Sequence, residues 1–129
     1  MTDRGVVVDA SAVLALLQGE SFGKVDPELV VGACISTVNL SEVLTKLHAG
    51  ALPGDEAEQA VANLDFRIVT FDEVHARNAA RLWPATRRAG LSFGDRACLA
   101  TAMLLGIPVL TADKSWAKLD IGASVVLIR

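Results

Sequence analysis

Four acidic residues lie where the chain passes from one predicted element to the next. Asp9 and Asp113 each follow a short apolar run, and Glu42 and Asp95 fall in the first turns of predicted helices. Carboxylates that share a small site repel one another and raise each other's pKa values unless a cation compensates them. Hard divalent cations such as Mg²⁺ and Mn²⁺ prefer ligand sets made of oxygen. The pattern therefore indicates a divalent metal site.

Each of these acids also has a purely structural interpretation. Aspartate is a favoured helix N-cap, which by itself explains Asp9 and Asp113 equally well. Glu42 stands three residues after Asn39, the spacing of a capping box, and Asp95 stands three residues after a serine. The helix that follows Asp95 is apolar nearly all round, which is typical of a buried helix. A carboxylate at the start of such a helix needs a partner or a metal.

The apolar pattern predicts the framework that must position these acids. Five β-rich runs are expected to form strands, at residues 6–8, 30–35, 67–69, 108–110 and 124–128. Helical patterns lie between them, at residues 13–17, 40–50, 53–63, 72–82 and 92–105, with a kink or restart at Pro84. The alternation predicts an α/β fold with a mainly parallel sheet and helices on both faces.

The position of a ligand site on such a sheet follows from its topology. In open α/β sheets, ligands bind in the crevice outside the carboxyl ends of the strands, where the strand order reverses. If the first and fourth strands are neighbours, Asp9 and Asp113 face each other across that crevice. Glu42 and Asp95 then reach in from the flanking helices, and the hydroxyls of Ser11 and Thr111 are expected to hydrogen-bond the carboxylates.

Composition narrows the class of protein. The chain has 129 residues, a net charge of −3, 52% hydrophobic and 21% charged residues, which suits one globular domain. The negative charge argues against a general nucleic-acid coat protein but is compatible with a carboxylate metal centre. We expect no membrane segment and no secretion signal. Cys34 and Cys98 lack metal-binding spacing, so we expect two reduced, buried thiols in a cytoplasmic protein.

Four segments resemble the motifs of PIN domains in VapC-type toxins. They are residues 6–12, 39–43, 90–100 and 110–116, and the third is the most specific. Phe93 stands where an aliphatic residue is common. The resemblance covers essentially the whole chain and implies one PIN domain over residues 1–129. It also implies a three-layer sandwich with a five-stranded sheet in the order 3-2-1-4-5.

The same resemblance implies an activity and its partners. It implies an endoribonuclease that needs Mg²⁺ or Mn²⁺ and acts as the toxin of a type II toxin–antitoxin pair. Asp9, Glu42, Asp95 and Asp113 would be its catalytic and metal-binding quartet. A cognate VapB-type antitoxin would neutralise it, with homodimers and toxin–antitoxin hetero-oligomers expected.

An arginine-rich segment follows residue 75 and is a candidate for holding the RNA backbone. The arginines considered for this role are Arg87, Arg88 and Arg96. Apolar residues on the helices before residue 65 are expected to offer a groove to an amphipathic antitoxin helix. These residues are Leu14, Leu17, Leu44, Leu47, Val61 and Leu64.

Other residues favour structural interpretations. His48 and His75 have no partner at metal-binding spacing, and we expect both on exposed helix positions. Trp83 and Trp116 can stack on bases, but packing in a core or an interface is favoured for such large apolar groups.

The pattern can be compared with one other enzyme class, with receiver domains and with one binding class. A haloacid-dehalogenase-like phosphatase needs a second aspartate two residues after the first, where this chain has Ser11. A receiver domain needs paired acids after the first strand and a lysine after the fifth, and this chain lacks both. A catalytically inactive PIN-type RNA-binding module is disfavoured because all four acids are present.

Overall fold

The computed structural model describes residues 5–50 and 52–129. Its sheet has five strands in the order β3-β2-β1-β4-β5, and every neighbouring pair is parallel. The strands are β1 Val7–Val8, β2 Cys34–Ser36, β3 Arg67–Val69, β4 Val109–Thr111 and β5 Val125–Leu127. The predicted α/β fold and strand order are confirmed, and the order reverses between β1 and β4, where Val8 pairs with Leu110.

Within the described residues, six α-helices connect or flank the strands. They are α1 Ala10–Leu17, α2 Thr37–Ala49, α3 Gly54–Ala62, α4 Glu73–Arg81, α5 Trp83–Thr86 and α6 Phe93–Leu105. Short 3-10 turns occur at Pro27–Leu29, Arg87–Ala89 and Lys114–Lys118. In the described part of the chain, no helix has the length and apolar character needed to cross a membrane.

Alternating side chains of the strands supply two apolar cores, one on each face of the sheet. Val8, Ile35 and Leu110 belong to the core that includes residues of α1, α2 and α3. Val7 and Val109 belong to the core that includes residues of α4 and α6 and the buried Trp116. Successive strand residues point to opposite faces. The two-residue strand β1 thus contributes to both cores and is covered on both sides.

The second strand is shorter than its apolar run suggests, and the prediction over residues 30–35 is wrong at its start. Asp26 caps the turn Pro27–Leu29, and the backbone N–H of Val30 donates to the carbonyl of Pro27. Gly32 then adopts a φ of +74°. This left-handed residue redirects the chain, so regular pairing begins only at Cys34.

Two helical expectations also need correction. Helix α2 begins at Thr37 with Ser36 as its N-cap, so Asn39 is not the cap of the helix. His75 is buried rather than exposed, with Nδ1 3.3 Å from the Thr101 hydroxyl and its ring edge-on to Phe71. His48 is exposed, as expected.

Candidate active site

Asp9 and Asp113 follow the carboxyl ends of the central strand β1 and its neighbour β4, where the strand order reverses. The backbone N–H of Asp9 donates to Leu110 O at 3.2 Å. Asp9 Oδ1 accepts from Ala12 N at 2.9 Å and caps α1. Asp113 Oδ1 accepts from the Ser115 backbone N–H at 2.9 Å and its hydroxyl at 2.7 Å, at the start of a 3-10 turn. Each acid is an N-cap and also follows a strand beside the point where the strand order reverses, so the two interpretations are compatible.

Two hydroxyls hold the Asp9 carboxylate. Ser11 Oγ donates to both carboxylate oxygens, at 2.8 and 2.9 Å, and Thr111 Oγ1 donates to Oδ2 at 2.6 Å. The same hydroxyls accept backbone N–H bonds from the loop after β4, Ser11 from Ala112 and Thr111 from Asp113. Because each hydroxyl has one hydrogen and points it at Asp9, the network links this carboxylate to the segment that carries Asp113.

Asp9 is only 4% exposed, and this burial makes its carboxyl group a weaker acid. The pKa of Asp9 is raised from 3.8 to about 6, mainly by burial and to a smaller extent by the negative charge of Asp95. Hydrogen bonds from Thr111, Ala12 and Ser11 oppose the shift, because they stabilise the ionised form. A cation bound beside this carboxyl would favour its ionised form and lower its pKa.

Glu42 is held at a contact between α2 and α6, and Asp95 is held by hydrogen bonds at the start of α6. Asn39 Nδ2 donates to Glu42 Oε1 at 2.8 Å and to Gly94 O at 3.0 Å. Asp95 forms the predicted capping box with Ser92, since Oδ2 accepts from Ser92 N at 2.9 Å and Asp95 N donates back at 3.2 Å. The predicted capping box at Glu42 is wrong, because α2 starts two residues before Asn39.

Three of the four acids act on one buried thiol. Cys98 lies one turn beyond Asp95 in α6 and is completely buried. Burial raises the pKa of this thiol well above 9.0, and the charges of Asp9, Asp95 and Glu42 raise it further. The charges of Asp9, Asp95 and Glu42 are therefore close enough to influence the same thiol. Both cysteines are free and buried, as predicted.

The donor set can be tested against a divalent metal. Across residues 5–50 and 52–129, no three carboxylate, imidazole or thiol groups form a ready-made metal cluster. Mg²⁺ usually keeps several waters and binds one or two protein carboxylates, so it does not require a preformed cage. The quartet offers only oxygen ligands, and its most buried member carries an electrostatic penalty that a cation would relieve. The chemistry of these ligands is therefore compatible with a divalent cation.

The predicted RNA-binding arginines occupy three different settings. Arg88 lines a cavity of about 700 Å³ together with Lys114, Ser115 and Lys118. Arg87 is exposed, with its guanidinium 5.2 Å from the ring centroid of Trp83.

Arg96 is half-buried, and its Nη1 donates to Ala79 O at 3.1 Å.

The sequence analysis did not identify the two lysines beside Arg88, although Lys114 directly follows Asp113.

The predicted apolar groove is formed only in part. Val61 and Leu64 are buried in the core. Leu14 and Leu47 are half-buried and, with the exposed Leu52, line a cavity of about 470 Å³. Leu17 and Leu44 pack against the core from half-buried positions. This cavity also includes Ser11 and Ala112, so it borders the Asp9 network.

Comparisons with known proteins agree with this architecture. The PIN domain profile matches residues 6–122. No curated protein is significantly similar in sequence. A DNA-bound VapBC complex from Salmonella typhimurium superimposes with a TM-score of 0.75 at 14% identity, covering 98% of this chain and 100% of the other. VapBC-5 from Mycobacterium tuberculosis, described as a member of a toxin–antitoxin family, gives 0.64 at 28%, covering 98% and 99%.

A third structure is that of VapC20 from Mycobacterium tuberculosis, described as a sarcin–ricin loop cleaving toxin. It superimposes with a TM-score of 0.66 at 17% identity, covering 90% of this chain and 97% of the other. At this identity the likeness is one of fold.

Proposed function

Because the chain belongs to the PIN domain family, we propose that it is a divalent-metal-dependent endoribonuclease, the VapC-type toxin of a type II toxin–antitoxin pair. The observation that carries the proposal is the placement of the four acids. Asp9 and Asp113 follow the central strand β1 and its neighbour β4, and Glu42 and Asp95 come from α2 and α6. An acidic site outside the strand ends is where an open α/β sheet binds its ligands.

Asp9, Asp95 and Asp113 are the proposed metal ligands, and Glu42 either binds metal or orients water. Bound Mg²⁺ or Mn²⁺ would activate a water and stabilise the charge that develops on the phosphate oxygens. The hydroxyls of Ser11 and Thr111 keep Asp9 oriented by hydrogen bonding. Asn39 holds one oxygen of Glu42, which leaves the other for water or metal.

The substrate we propose is RNA, held by its phosphates in the cationic cavity beside Asp113. Arg88, Lys114 and Lys118 line this cavity, with the acid Asp120. Cationic side chains that neutralise phosphates supply sequence-independent affinity. We assign Arg87 to a backbone phosphate as well.

Arg96 is the least available of the three arginines for this role. Its guanidinium contacts Ala79 O and lies 5.9 Å from the Phe93 ring centroid. Any contribution of Arg96 to RNA binding is therefore proposed to be indirect, through the packing of α6 on α4.

The partner we propose is a VapB-type antitoxin acting in the cytoplasm. The structures reported above as similar include VapBC complexes. The cavity lined by Leu14, Leu47 and Leu52 suits an amphipathic antitoxin segment, and its polar end at Ser11 adjoins the acidic site. A basic antitoxin side chain reaching that site would pair with the carboxylates and compete with metal. Homodimers and toxin–antitoxin hetero-oligomers belong to the same proposal.

A matched pair of variants tests the nuclease proposal. Asp113 and Asp26 are both exposed and both cap a 3-10 turn, but only Asp113 belongs to the quartet. Asparagine also caps well, so neither Asp→Asn change should unfold the protein. We expect Asp113→Asn to abolish RNA cleavage with Mn²⁺ and Asp26→Asn to leave it unchanged. Equal activity of the two variants would remove Asp113 from the site.

The catalytically inactive PIN-type module remains the alternative, and the same assay distinguishes it. A wild-type chain that binds RNA but does not cleave it with Mg²⁺ or Mn²⁺ would establish that alternative.

The antitoxin proposal has its own test, which is co-expression with the product of the adjacent gene. If that product neither binds the chain nor suppresses cleavage, the toxin assignment fails while the nuclease assignment stands.

A further inference from the structure

Gly94 is a buried glycine whose backbone does not require glycine. It is the second residue of α6 and directly precedes Asp95. Gly90 and Gly106, which flank the same segment, have positive φ angles, whereas Gly94 does not. A glycine within a helix costs roughly 1 kcal/mol relative to alanine. Helical conformation therefore gives no reason for glycine at this position.

Space supplies the reason. A Cβ added to Gly94 would lie 2.5 Å from Glu42 Cδ and 2.6 Å from Glu42 Oε1, closer than real Cβ contacts allow. The glycine that begins α3, Gly54, differs, since its added Cβ meets only His48 Cε1 at 3.8 Å. The Glu42 carboxylate therefore lies directly against the Gly94 Cα, in space that any other residue would fill.

Asn39 fixes the carboxylate in that space. Its two amide hydrogens go to Glu42 Oε1 and Gly94 O, which are both acceptors. The amide cannot be reversed without placing its oxygen against two acceptors, so its orientation is determined. Asn39 is 1% exposed and has little freedom to follow a displaced carboxylate.

We propose that Gly94 is a positioning residue, which admits the Glu42 carboxylate to a slot between Asn39 and the start of α6. The slot places Glu42 beside Gly94, which directly precedes Asp95 in α6. The inference deepens the proposed nuclease site, on which its catalytic part rests. It assigns Gly94 an effect on the reaction through Glu42 alone.

The effect of Gly94→Ala follows from what must move. The atoms that clash with the new Cβ are the end of a flexible side chain and not backbone. Glu42 therefore swings out, loses its bond to Asn39, and leaves α6 intact. We expect cleavage to fall about 100-fold or more, as for the loss of a positioned acid–base group, with no loss of melting temperature.

A double-variant cycle tests whether the effect passes through Glu42. In a Glu42→Ala background the slot is empty and the new Cβ fits. Gly94→Ala should then not change cleavage further. Gly54→Ala is the control, because it also adds a methyl group at the start of a helix but meets no carboxylate. If Gly94→Ala reduces cleavage by the same factor in the Glu42→Ala background as in the wild type, the proposal is overturned.

A readout independent of activity is the side-chain amide of Asn39 in a ¹H–¹⁵N spectrum of the metal-free protein. Gly94→Ala and Glu42→Ala should shift this signal alike and speed its hydrogen exchange, and Gly54→Ala should leave it in place. An unchanged signal in Gly94→Ala would overturn the slot whether or not the wild type cleaves RNA. Absence of cleavage by the wild type would instead refute the proposed function.

The test also covers a variant that fails to fold. If Gly94→Ala alone is unfolded because of crowding by Glu42, the double variant with Glu42→Ala should fold and melt near the wild-type temperature. An unfolded double variant would mean that Gly94 serves the packing of α6 itself, and would overturn the proposal.

Discussion

Replacing Asp9 by asparagine should stabilise the metal-free protein at neutral pH. The folded-state pKa of Asp9 is about 6, against 3.8 for an ordinary aspartate, with burial as the main cause. A shift of roughly two units at about 1.4 kcal/mol per unit corresponds to about 3 kcal/mol. Because the folded pKa is the higher one, the associated stability is fully present below pH 4 and is lost as pH rises through 6.

Asparagine removes this titration but does not keep every hydrogen bond. Its oxygen can still accept from Ala12 N, whereas its NH₂ group cannot accept the bond that Thr111 now donates at 2.6 Å. A lost neutral hydrogen bond costs about 1 kcal/mol. The net gain expected at pH 7.5 is therefore about 1–2 kcal/mol. Near pH 4 the gain is lost, and the missing hydrogen bond should leave the variant slightly less stable than the wild type.

Thermal unfolding in EDTA at pH 4, 6 and 7.5 measures this gain. Asp72→Asn is the control, because Asp72 also caps a helix but is exposed and lacks the burial that produces the effect. Saturating Mn²⁺ should stabilise the wild type, so that the wild type becomes more stable than Asp9→Asn. If Asp9→Asn is less stable than the wild type by the same amount at every pH in EDTA, the reasoning is refuted.

Further predictions concern the surroundings of the acids. Thr111→Val removes a hydrogen bond that lowers the pKa of Asp9, so the acid limb of the pH–cleavage profile should move to higher pH. Thr111→Ser keeps a hydroxyl and should restore the wild-type profile. An unmoved profile in Thr111→Val would contradict this prediction. Lys114→Ala should weaken RNA binding and reduce the slope of log affinity against log salt by about one, with the exposed Lys24→Ala as control. If log affinity falls with log salt at the same slope in Lys114→Ala and Lys24→Ala, the cationic cavity does not bind the RNA.

Local signals in the sequence were sufficient for most of the framework. The alternation of β-rich runs and helical periods predicted the α/β class, and capping preferences located Asp9, Asp95 and Asp113 at element starts. These features depend on residues within a few positions of one another. The strand order came from the family resemblance, since pairing between distant strands has no local signal.

Features that depend on contacts between distant segments were not predictable. The Asn39–Gly94 bond joins residues 55 positions apart, so neither the slot for Glu42 nor the role of its glycine is visible in the sequence. His75 has a helical surface pattern but is buried against Thr101 of α6. The start of α2 was misplaced because Asn39 is a strong capping type that is used inside the helix.

The central claim is that the acidic quartet holds the divalent metal on which RNA cleavage depends. The most direct test titrates Mn²⁺ into the metal-free protein and measures binding and cleavage of an RNA in the same samples. Our account predicts that the two rise together in the wild type and that both are lost in Asp113→Asn. Cleavage that persists in EDTA, or Mn²⁺ binding that is unchanged in the inactive variant, would contradict it.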